Sequence, residues 1–478
     1  MLLKYFYDEK LAQASYLVGC QATGEAIIVD PSRSNIEAYL KTARAHGVRI
    51  VGVTETHIHA DFLSGSKELA SRLGATLYLS DEGGADWKYE YATEYQHCFL
   101  RNGDVFSIGN INFEVVHTPG HTPEHISLLV TDGGASTKDP LGIFTGDFVF
   151  VGDVGRPDLL EKAAGVHGSS EKMARMMYRS LQQFKNLPDY LQVWPGHGAG
   201  SACGKALGAI PSSTIGYEKR TNWALQYDNE DRFIEALLAG QPEAPPYFSM
   251  MKRLNKEGAQ QIRSIAAPLC MEVSIDIVQE WTEQGIVIDT RPASEFATKH
   301  IRGVINIPYN KSFVTWAGWL LDYDRPIYLL ACNADVADMI NDLQSIGLDR
   351  VVATMEPYII EQEGESDSRV MKYEEVTMDQ IDGTIQTERI YVLDVRSMGE
   401  WEEGHIPQAK HVMLGHLQEQ AHKIPHDKPI LVYCKTGGRS AIAASLLQVH
   451  GFKEVQSLVG GYEEWNKQKK LRPTRDAK

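Results

Sequence analysis

The chain has 478 residues, which is enough for about three domains of ordinary size. Its hydrophobic share of 43% and its charged share of 23% are typical of globular proteins. The net charge of −16 argues against a nucleic-acid or an anionic-membrane partner. No segment approaches the roughly 20 apolar residues of a membrane span, and the charged residues before Cys20 exclude the apolar core of a signal peptide. We therefore expect a cytoplasmic protein whose six widely spaced cysteines stay reduced.

The first half of the chain alternates apolar runs typical of strands with segments typical of helices. Strands are predicted over residues 26–30, 50–54, 76–79 and 113–116. Helices are predicted over residues 36–46 and 65–73, the second closed by Gly74. The proline-rich stretch 241–246 ends this pattern, so we predict a first domain over residues 1–245.

The second half of the chain contains an internal repeat with an offset of 105 residues. Asp289 and Arg291 in the first copy match Asp394 and Arg396 in the second, and we expect each Asp–Arg couple to be a structural pair. An apolar strand follows in each copy. Each copy has the length of a small domain, so we predict two further domains over residues 270–368 and 372–474.

Four clusters in the first domain place His or Asp directly after an apolar strand and beside Gly or Pro. They are THIHADF (56–62), HTPGHTPEH (117–125), TGD (145–147) and WPGHG (194–198). The C-terminal ends of strands are where α/β proteins build their sites. A single histidine would suggest an isolated loop residue, but four clusters of this kind favour a shared metal ion.

These motifs resemble the metallo-β-lactamase superfamily, whose fold is an αββα sandwich. Phe62 replaces the last histidine of the superfamily pattern HxHxDH, which argues against a two-zinc hydrolytic site. The longer segments THIHADFLSG, HTPGHTPEHIS, TGDFVFVGDVGRPD and WPGHGAGSACG resemble the persulfide dioxygenase branch. That resemblance implies one Fe(II) per chain, held by His57, His121 and Asp147. Such a triad suits Fe(II) oxygenases because it leaves positions open for substrate and O2, although similar ligands also bind zinc.

The same resemblance places His59, Asp61 and His197 around the metal, where they would orient ligands or water. Cys203 lies in a Gly/Ala-rich loop shortly after His197. Two interpretations of Cys203 stay open. It is a small buried residue of a tight loop, or it is a catalytic thiol that holds or senses the substrate persulfide.

A second chemical motif, CKTGGRS (434–440), lies between an apolar strand and a helix predicted over 441–449. Amides at the helix N-terminus, together with Lys435 and Arg439, are expected to stabilise a thiolate or an anionic persulfide at Cys434. The glycines let the loop amides point inward as an anion cradle. The predicted catalytic residues are Cys434 and Arg439. The predicted cradle consists of Lys435, Thr436, Gly437, Gly438 and Ser440.

This motif, with LDVR (393–396), GHI (404–406) and GGYxxW (460–465), resembles the rhodanese family of sulfurtransferases. Related phosphatases have the longer loop Cys-x5-Arg, whereas four residues separate Cys434 and Arg439 here, which favours sulfur over phosphate as the cargo. The middle copy has ACNADVAD (331–338) at the equivalent place. Its Ala331 aligns with Cys434, Cys332 is one step away, and two Asp replace the positive field. We therefore predict an inactive rhodanese-like domain.

Together, the resemblances imply an α/β chain in which a metallo-β-lactamase αββα sandwich precedes two rhodanese-like α/β domains. The first site would oxidise a low-molecular-weight thiol persulfide with O2 to sulfite. Cys434 would then transfer sulfane sulfur to sulfite, giving thiosulfate, as in persulfide dioxygenase–rhodanese fusions that detoxify sulfide. A homo-oligomer is expected. Two alternatives stay open: a glyoxalase-II-like zinc thioester hydrolase with a sulfurtransferase domain, and a non-catalytic persulfide carrier or sensor.

Overall fold

The structure is a computed structural model that describes residues 1–159, 161, 168–205, 207–271, 274–362, 367–385 and 389–471. The predicted end of the last domain, residue 474, lies outside the described residues. The chain folds into two compact units. Unit 1 comprises Met1–Ile265 and Asn341–Gly347, and unit 2 comprises Ala266–Ile340 and Leu348–Lys478. Within the described ranges, no helix has both the length and the apolar character that crossing a membrane requires.

Unit 1 contains two six-stranded sheets. The first runs in chain order: β1 (Leu2–Asp8), β2 (Gln13–Cys20), β3 (Glu25–Val29), β4 (Arg49–Thr54), β5 (Thr76–Ser80) and β6 (His97–Leu100). The second runs in reverse chain order: β12 (Ser213–Thr214), β11 (Gln192–Pro195), β10 (Gly142–Gly146), β9 (Ile126–Asp132), β8 (Ile111–His117) and β7 (Val105–Ile108). Each of the four predicted strands lies within a strand of the structure, apart from Asp30, which directly follows β3.

The helices of unit 1 are α1 (Ile36–Ala45), α2 (Ser66–Leu73), α3 (Ser169–Phe184), α4 (Ile215–Thr221), α5 (Glu230–Leu238) and α6 (Tyr247–Glu257). The two predicted helices, α1 and α2, are each within one residue of their predicted bounds. Gly74 ends α2 in the left-handed conformation with φ of 66°, where the lack of a Cβ removes the steric penalty.

Three apolar clusters define the layers of unit 1. One joins the facing sides of the two sheets through residues such as Val18 and Phe113. A second, which includes Tyr39, joins the outer side of the first sheet to α1 and α2. A third joins the second sheet to α3 and α5 through Leu181 and Phe233. Because each sheet buries both faces and each helix buries one stripe, the result is the predicted αββα sandwich.

Unit 2 contains two five-stranded parallel sheets, one in each copy of the repeat. The first has the order β13 (Leu269–Cys270), β18 (Val351–Met355), β17 (Ile327–Leu330), β14 (Ile286–Asp289) and β16 (Ile305–Asn306). The second has the order β20 (Glu374–Val376), β24 (Val455–Leu458), β23 (Ile430–Tyr433), β21 (Tyr391–Asp394) and β22 (Lys410–His411). A separate antiparallel pair joins β15 (His300–Ile301) to β19 (Val370–Met371). Counted along the chain, both five-stranded sheets have the same order of strands, so the repeat in sequence is also a repeat of topology.

The helices of the middle copy are α7 (Ile275–Gln284), α8 (Ala293–Thr298), α9 (Phe313–Leu320), α10 (Val336–Ser345) and α11 (Ile359–Gln362). Those of the C-terminal copy are α12 (Met378–Ile385), α13 (Met398–Glu402), α14 (Leu417–Gln420), α15 (Gly438–Val449) and α16 (Gly461–Leu471). The predicted start of α15 at Ala441 was wrong by three residues. Gly437, with φ of 118°, turns the loop straight into the helix, so the helix begins at Gly438.

Candidate metal centre and persulfide site

Three strand ends of unit 1 bring one group of buried side chains together. His57 lies after β4, His121 after β8 and Asp147 directly after β10. Their ligand atoms lie within 4.8 Å of one another. Asp147 Oδ2 is 3.5 Å from His121 Nε2 and 3.9 Å from His57 Nε2. The three loops thus aim two imidazoles and one carboxylate at a common point.

Hydrogen bonds fix which nitrogen of each imidazole is free. His121 Nδ1 donates to the carbonyl oxygen of Arg156 at 2.9 Å. His57 Nδ1 lies 3.0 Å from the Thr56 hydroxyl, which donates its own proton to Asp30 at 3.0 Å. Because a carbonyl only accepts and the hydroxyl proton is used, each Nδ1 carries the proton. Each Nε2 then presents a lone pair, as a metal-ligating histidine does.

The protonation and burial of this group fit a metal ion. Burial lowers the pKa of His121 and, helped by the neighbouring His59, takes that of His57 well below its ordinary value. Both rings are therefore neutral, as ligands must be. In the described part of the chain, His57 Nε2 and both carboxylate oxygens of Asp147 are buried without a hydrogen-bond partner. Such atoms are costly unless something binds them, and two imidazoles with one carboxylate suit Fe(II) or zinc.

The surroundings of Asp147 are shaped to keep its carboxylate in place. A Cβ on Gly196 would lie 2.7 Å from Asp147 Oδ1, and one on Gly155 would lie 1.9 Å from the Asp147 carbonyl oxygen. The backbone N–H of Asp147 donates to His125 Nε2 at 3.2 Å. Burial takes the pKa of His125 well below its ordinary value, so this nitrogen stays an acceptor. His125 stands in the HTPGHTPEH cluster, but sequence reasoning gave it no role.

A second buried group adjoins the first. It consists of Asp61, His197 and Cys203, whose ligand atoms also lie within 4.8 Å of one another. His197 Nε2 is 3.0 Å from Asp61 Oδ2 and 3.5 Å from Asp147 Oδ2. Burial lowers the pKa of His197, but Asp147 and Asp61 outweigh it and raise this pKa well above the ordinary value. Sequence reasoning left Asp61 and His197 without a third nitrogen partner, and in the structure the third member is a thiol.

The loop that carries Cys203 is anchored to a buried ion pair. Arg156 is fully buried, and its guanidinium donates two bonds of 2.7 Å to Asp158. Its backbone N–H donates to the Cys203 carbonyl at 3.0 Å, and Nη1 donates to Ala202 at 3.2 Å. Burial, together with Asp61 and Asp147, raises the pKa of the Cys203 thiol to about 12. The side chain is therefore a neutral thiol, which can donate a hydrogen bond, whereas nucleophilic attack and metal ligation would each need the thiolate.

His59 lies beside His57, with ring centroids 4.2 Å apart, and pairs with Asp30. Its Nε2 lies 3.1 Å from Asp30 Oδ1. Burial lowers the pKa of His59, but Asp30 more than offsets this and raises it to about 9. Asp30 also accepts the Thr56 backbone N–H at 2.7 Å. His59 and Asp30 thus form a pair that supports the loop carrying His57.

The Cys434 loop in unit 2 holds a buried sulfur against a helix N-terminus. Cys434 follows β23, and its Sγ accepts the backbone N–H of Gly437 at 3.1 Å. The Cys434 carbonyl accepts the Tyr462 N–H at 2.8 Å. A Cβ on Gly461 would lie 2.3 Å from that same carbonyl oxygen, so the GGY turn needs glycine there. The loop is fixed both by its helix and by the turn before α16.

Arg439 at the rim of this loop is held by Glu400, a partner that sequence reasoning did not identify. The guanidinium donates bonds of 2.6 and 2.7 Å to the two carboxylate oxygens. Burial raises the pKa of Glu400, but Arg439 outweighs it and lowers this pKa to about 2. Glu400 also accepts the backbone N–H of Ser397 in the capping box that begins α13. The guanidinium of Arg439 is therefore held in one orientation, and Glu400 neutralises part of its charge.

Comparison with known proteins assigns both halves of the chain. The model of the metallo-beta-lactamase superfamily matches residues 9–197, and that of the rhodanese-like domain matches residues 377–468. A crystal structure of a metallo-beta-lactamase from Staphylococcus aureus subsp. aureus COL has 43% identity, covers 75% of this chain and 99% of that chain, and has a TM-score of 0.67. The chain belongs to the metallo-beta-lactamase superfamily and carries a C-terminal rhodanese-like domain. The predicted fold classes of both halves are confirmed.

Two relatives with named activities match different shares of the chain. The mitochondrial persulfide dioxygenase ETHE1 of Bos taurus is 26% identical over 279 residues, which is 58% of this chain and 89% of the relative. The thiosulfate sulfurtransferase GlpE of Coxiella burnetii is 39% identical over 107 residues, which is 22% of this chain and 97% of the relative. The chain spans about half the length, 53–54%, of the beta-lactamase hydrolase-like proteins of Xylella fastidiosa and Agrobacterium fabrum.

The side chains of two residues in the predicted cradle, Lys435 and Ser440, are not directed at the sulfur of Cys434 through a described contact. Lys435 is exposed, and its nearest acidic partner is Glu463 at 3.9 Å. Ser440 is buried, and its hydroxyl donates to the Gly437 carbonyl at 2.9 Å. This hydroxyl stabilises the turn into α15 and is directed at the backbone. Thr436 and Gly438 line a cavity together with Cys434.

The corresponding loop of the middle copy is held by Glu356, which directly follows β18. The backbone N–H of Asn333 donates to Glu356 Oε1 at 2.9 Å. Cys332 is exposed and lines a separate cavity of about 420 Å³ together with Asp335 and Glu356. A carboxylate of the protein therefore occupies one of the backbone amides of this loop.

Proposed function

We propose that the metallo-beta-lactamase-like unit is a non-heme Fe(II) persulfide dioxygenase and that Cys434 carries out rhodanese sulfur transfer. The observation that carries the proposal is the buried group of His57, His121 and Asp147 on the same chain as the Cys434 loop. The similarity to the persulfide dioxygenase ETHE1 and to the thiosulfate sulfurtransferase GlpE supports each half. The substrate is a low-molecular-weight thiol persulfide, and the chain detoxifies such persulfides and the sulfide they come from.

In the first reaction, one persulfide RSSH, one O2 and one water give one thiol RSH and one sulfurous acid, which ionises to sulfite. The outer sulfur loses four electrons, which reduce O2. His57, His121 and Asp147 would hold an Fe(II) ion, which would supply open coordination positions for the reaction of persulfide with O2. The chain's own part is to keep both imidazoles neutral and to hold the Asp147 backbone through His125. Asp61, His197 and Cys203 line the adjoining part of the centre, where they orient ligands and water.

In the second reaction, Cys434 takes the outer sulfur of another persulfide. The thiolate attacks that sulfur, the donor S–S bond breaks, and a new S–S bond forms on Cys434. The donor thiol leaves with the persulfide proton. Sulfite then attacks the outer sulfur, the Cys434 S–S bond breaks, and thiosulfate leaves. Gly437 N–H lies at the sulfur and stabilises the anionic states.

The two reactions together consume two persulfides, one O2 and one water, and they release two thiols and one thiosulfate with its two protons. Oxygen uptake by the anaerobically iron-loaded full chain, with glutathione persulfide as the probe, tests this stoichiometry. We expect thiosulfate from the wild type and sulfite, at one persulfide per O2, from Cys434→Ser. The matched variant Cys332→Ser should still give thiosulfate. No uptake with iron bound would overturn the dioxygenase, and thiosulfate from Cys434→Ser would overturn the role of Cys434.

The group of Asp61, His197 and Cys203 favours one other candidate. A second ion at these residues would make the centre binuclear, as in a glyoxalase-II-like thioester hydrolase. Metal analysis of the purified chain separates the two functions. About one iron per chain with oxygen uptake supports the dioxygenase, whereas two zinc ions per chain with thioester hydrolysis and no oxygen uptake support the hydrolase.

A further inference from the structure

Helix α15, which starts from the Cys434 loop, is covered from two directions. Every residue from Ser440 to Gln448 is buried. A helix that rests only on its own sheet buries one stripe and exposes the rest. The second cover comes from the middle copy, within the same unit. The backbone N–H of Asn306 in β16 donates to the Ser445 hydroxyl at 3.1 Å, and both atoms are buried.

The chain continues from β16 into a wall of the cavity that Cys434 lines. This cavity has a volume of about 660 Å³. The C-terminal copy contributes Cys434, Thr436, Gly438, Arg439 and Ile442. The middle copy contributes the larger part of the lining, including Thr290, Ile307, Tyr309, Ser312 and Trp316. Because β16 contacts α15 directly, the wall and the sulfur loop are positioned by the same helix.

The wall has the chemistry of a site for an organic group. It presents the rings of Tyr309 and Trp316, and Tyr309 packs edge-on against Phe313 with ring centroids 5.3 Å apart. Of the described residues that line the cavity, Arg439 alone is a cationic or acidic side chain, and Glu400 already holds it. An inorganic anion of a few atoms needs only the loop amides. A volume of this size is typical of pockets that bind organic ligands.

We propose that the middle copy is a substrate-binding domain for the Cys434 site, with Trp316 and Tyr309 as specificity-determining residues. They hold the organic body of a thiol persulfide while its outer sulfur reaches Cys434. The inference rests on the proposed sulfur transfer from a thiol persulfide, and it adds that the middle copy binds the organic group of that donor. In the step itself, RSSH and the Cys434 thiolate give RSH and the Cys434 persulfide anion. One S–S bond replaces another, so the step needs no external oxidant or reductant.

The test measures anaerobic sulfur transfer by the full chain, because without O2 the first reaction is silent. Two donors are compared: glutathione persulfide with sulfite as acceptor, and inorganic thiosulfate with cyanide as acceptor. Trp316→Ala should lower kcat/KM for the persulfide about tenfold, mainly through KM, and change the thiosulfate reaction by less than about twofold. Trp316→Phe should recover most of the loss. Ser312→Trp, at an exposed position, should obstruct the organic donor without disturbing the core.

Tyr358→Ala is the matched control, because Tyr358 is an exposed aromatic of the middle copy that lines the other cavity. It should leave both reactions unchanged. If Trp316→Ala and Ser312→Trp lower kcat/KM equally for both donors, the wall has only a structural role and the inference is overturned. The inference is also overturned if neither variant lowers kcat/KM for the persulfide. If the wild type transfers sulfur from neither donor, the proposed function of Cys434 fails and the inference falls with it. If the wild type transfers sulfur from both donors and the variants keep its ratio of kcat/KM for persulfide to kcat/KM for thiosulfate, only the inference fails.

Discussion

The middle and C-terminal copies of the repeat have the same strand order and the same Asp–Arg pair, but the loop after the central strand differs between them. In the middle copy Arg291 holds Asp289 at 2.7 Å and donates to the Lys299 carbonyl at 2.9 Å. In the C-terminal copy Arg396 holds Asp394 at 2.6 Å and donates to the Gly404 carbonyl at 2.7 Å. Each pair ties the end of a central strand to the chain eight residues further on. These pairs act in the fold, as the sequence pattern predicts.

The loops after β17 and β23 use their backbone amides differently. In the C-terminal copy an amide faces the sulfur of Cys434. In the middle copy an amide is capped by Glu356, and the thiol of Cys332 is exposed. The parallel sheet therefore accommodates either loop sequence, because the paired strands and the Asp–Arg pair, and not the loop, stabilise it.

The strongest way to test this contrast is to remove each thiol in turn. Cys434→Ser should abolish sulfur transfer, by more than about 1,000-fold, because a hydroxyl cannot carry sulfane sulfur. Cys332→Ser should stay within about twofold of the wild type. Anaerobic transfer from glutathione persulfide to sulfite measures both variants. Comparable losses in the two variants would show that the middle loop is chemically active.

A second contrast concerns Glu400 and its register equivalent Glu295. Glu400→Gln removes the charge that holds the Arg439 fork, so the rim of the loop loses its fixed geometry. We expect kcat/KM for sulfur transfer to fall about tenfold, consistent with losing one charge-assisted bidentate contact. Glu295→Gln should be silent, since Glu295 is exposed and lies at the separate cavity of the middle copy. Equal rates for the wild type and Glu400→Gln would show that Arg439 needs no partner.

Local patterns predicted more of this molecule than long-range contacts did. The strands follow from periodicity and the repeat from motifs that lie within a few residues of each other, whereas the αββα layers are what the resemblance to the metallo-β-lactamase superfamily implies. The pairing of Arg439 with Glu400 joins residues 39 positions apart, and no local signal specifies it. Likewise, Cys203 lies near Asp61, which is far away in the sequence, and its loop accepts a hydrogen bond from the buried Arg156. The role of Trp316 was invisible, because its cavity forms only when the two copies pack.

The pH dependence of stability isolates the Glu400–Arg439 pair. The folded pKa of Glu400 is about 2, below its unfolded value of about 4.3. The stabilisation is therefore fully present above the unfolded value and is lost as pH falls through the folded value. Because about a quarter of each side chain is exposed, we expect about 1 kcal/mol. The difference in urea midpoint between the wild type and Glu400→Gln should be constant from pH 7 to 5 and shrink toward pH 2.

A difference that stays unchanged down to pH 3 would show that packing, and not the charge of Glu400, sets the effect of the substitution. Glu295→Gln is again the matched control. Its side chain is exposed to solvent, where a single charge contributes little to stability, so its urea midpoint should follow that of the wild type at every pH.

The smallest expected effect concerns Lys435, the residue whose charge the sequence pattern assigns to the cradle. Its ammonium is exposed and 3.9 Å from Glu463, so water and salt screen it. Lys435→Ala should lower the rate of sulfur transfer by about twofold in dilute buffer, and the difference should vanish near 0.5 M salt. Lys453→Ala removes the same charge at another exposed position of the copy and should have no effect at either salt concentration. A tenfold loss that persists in salt would instead place the Lys435 ammonium in direct contact with the transferred sulfur. The C-terminal loop would then differ from the middle loop by a cation as well as by its amides.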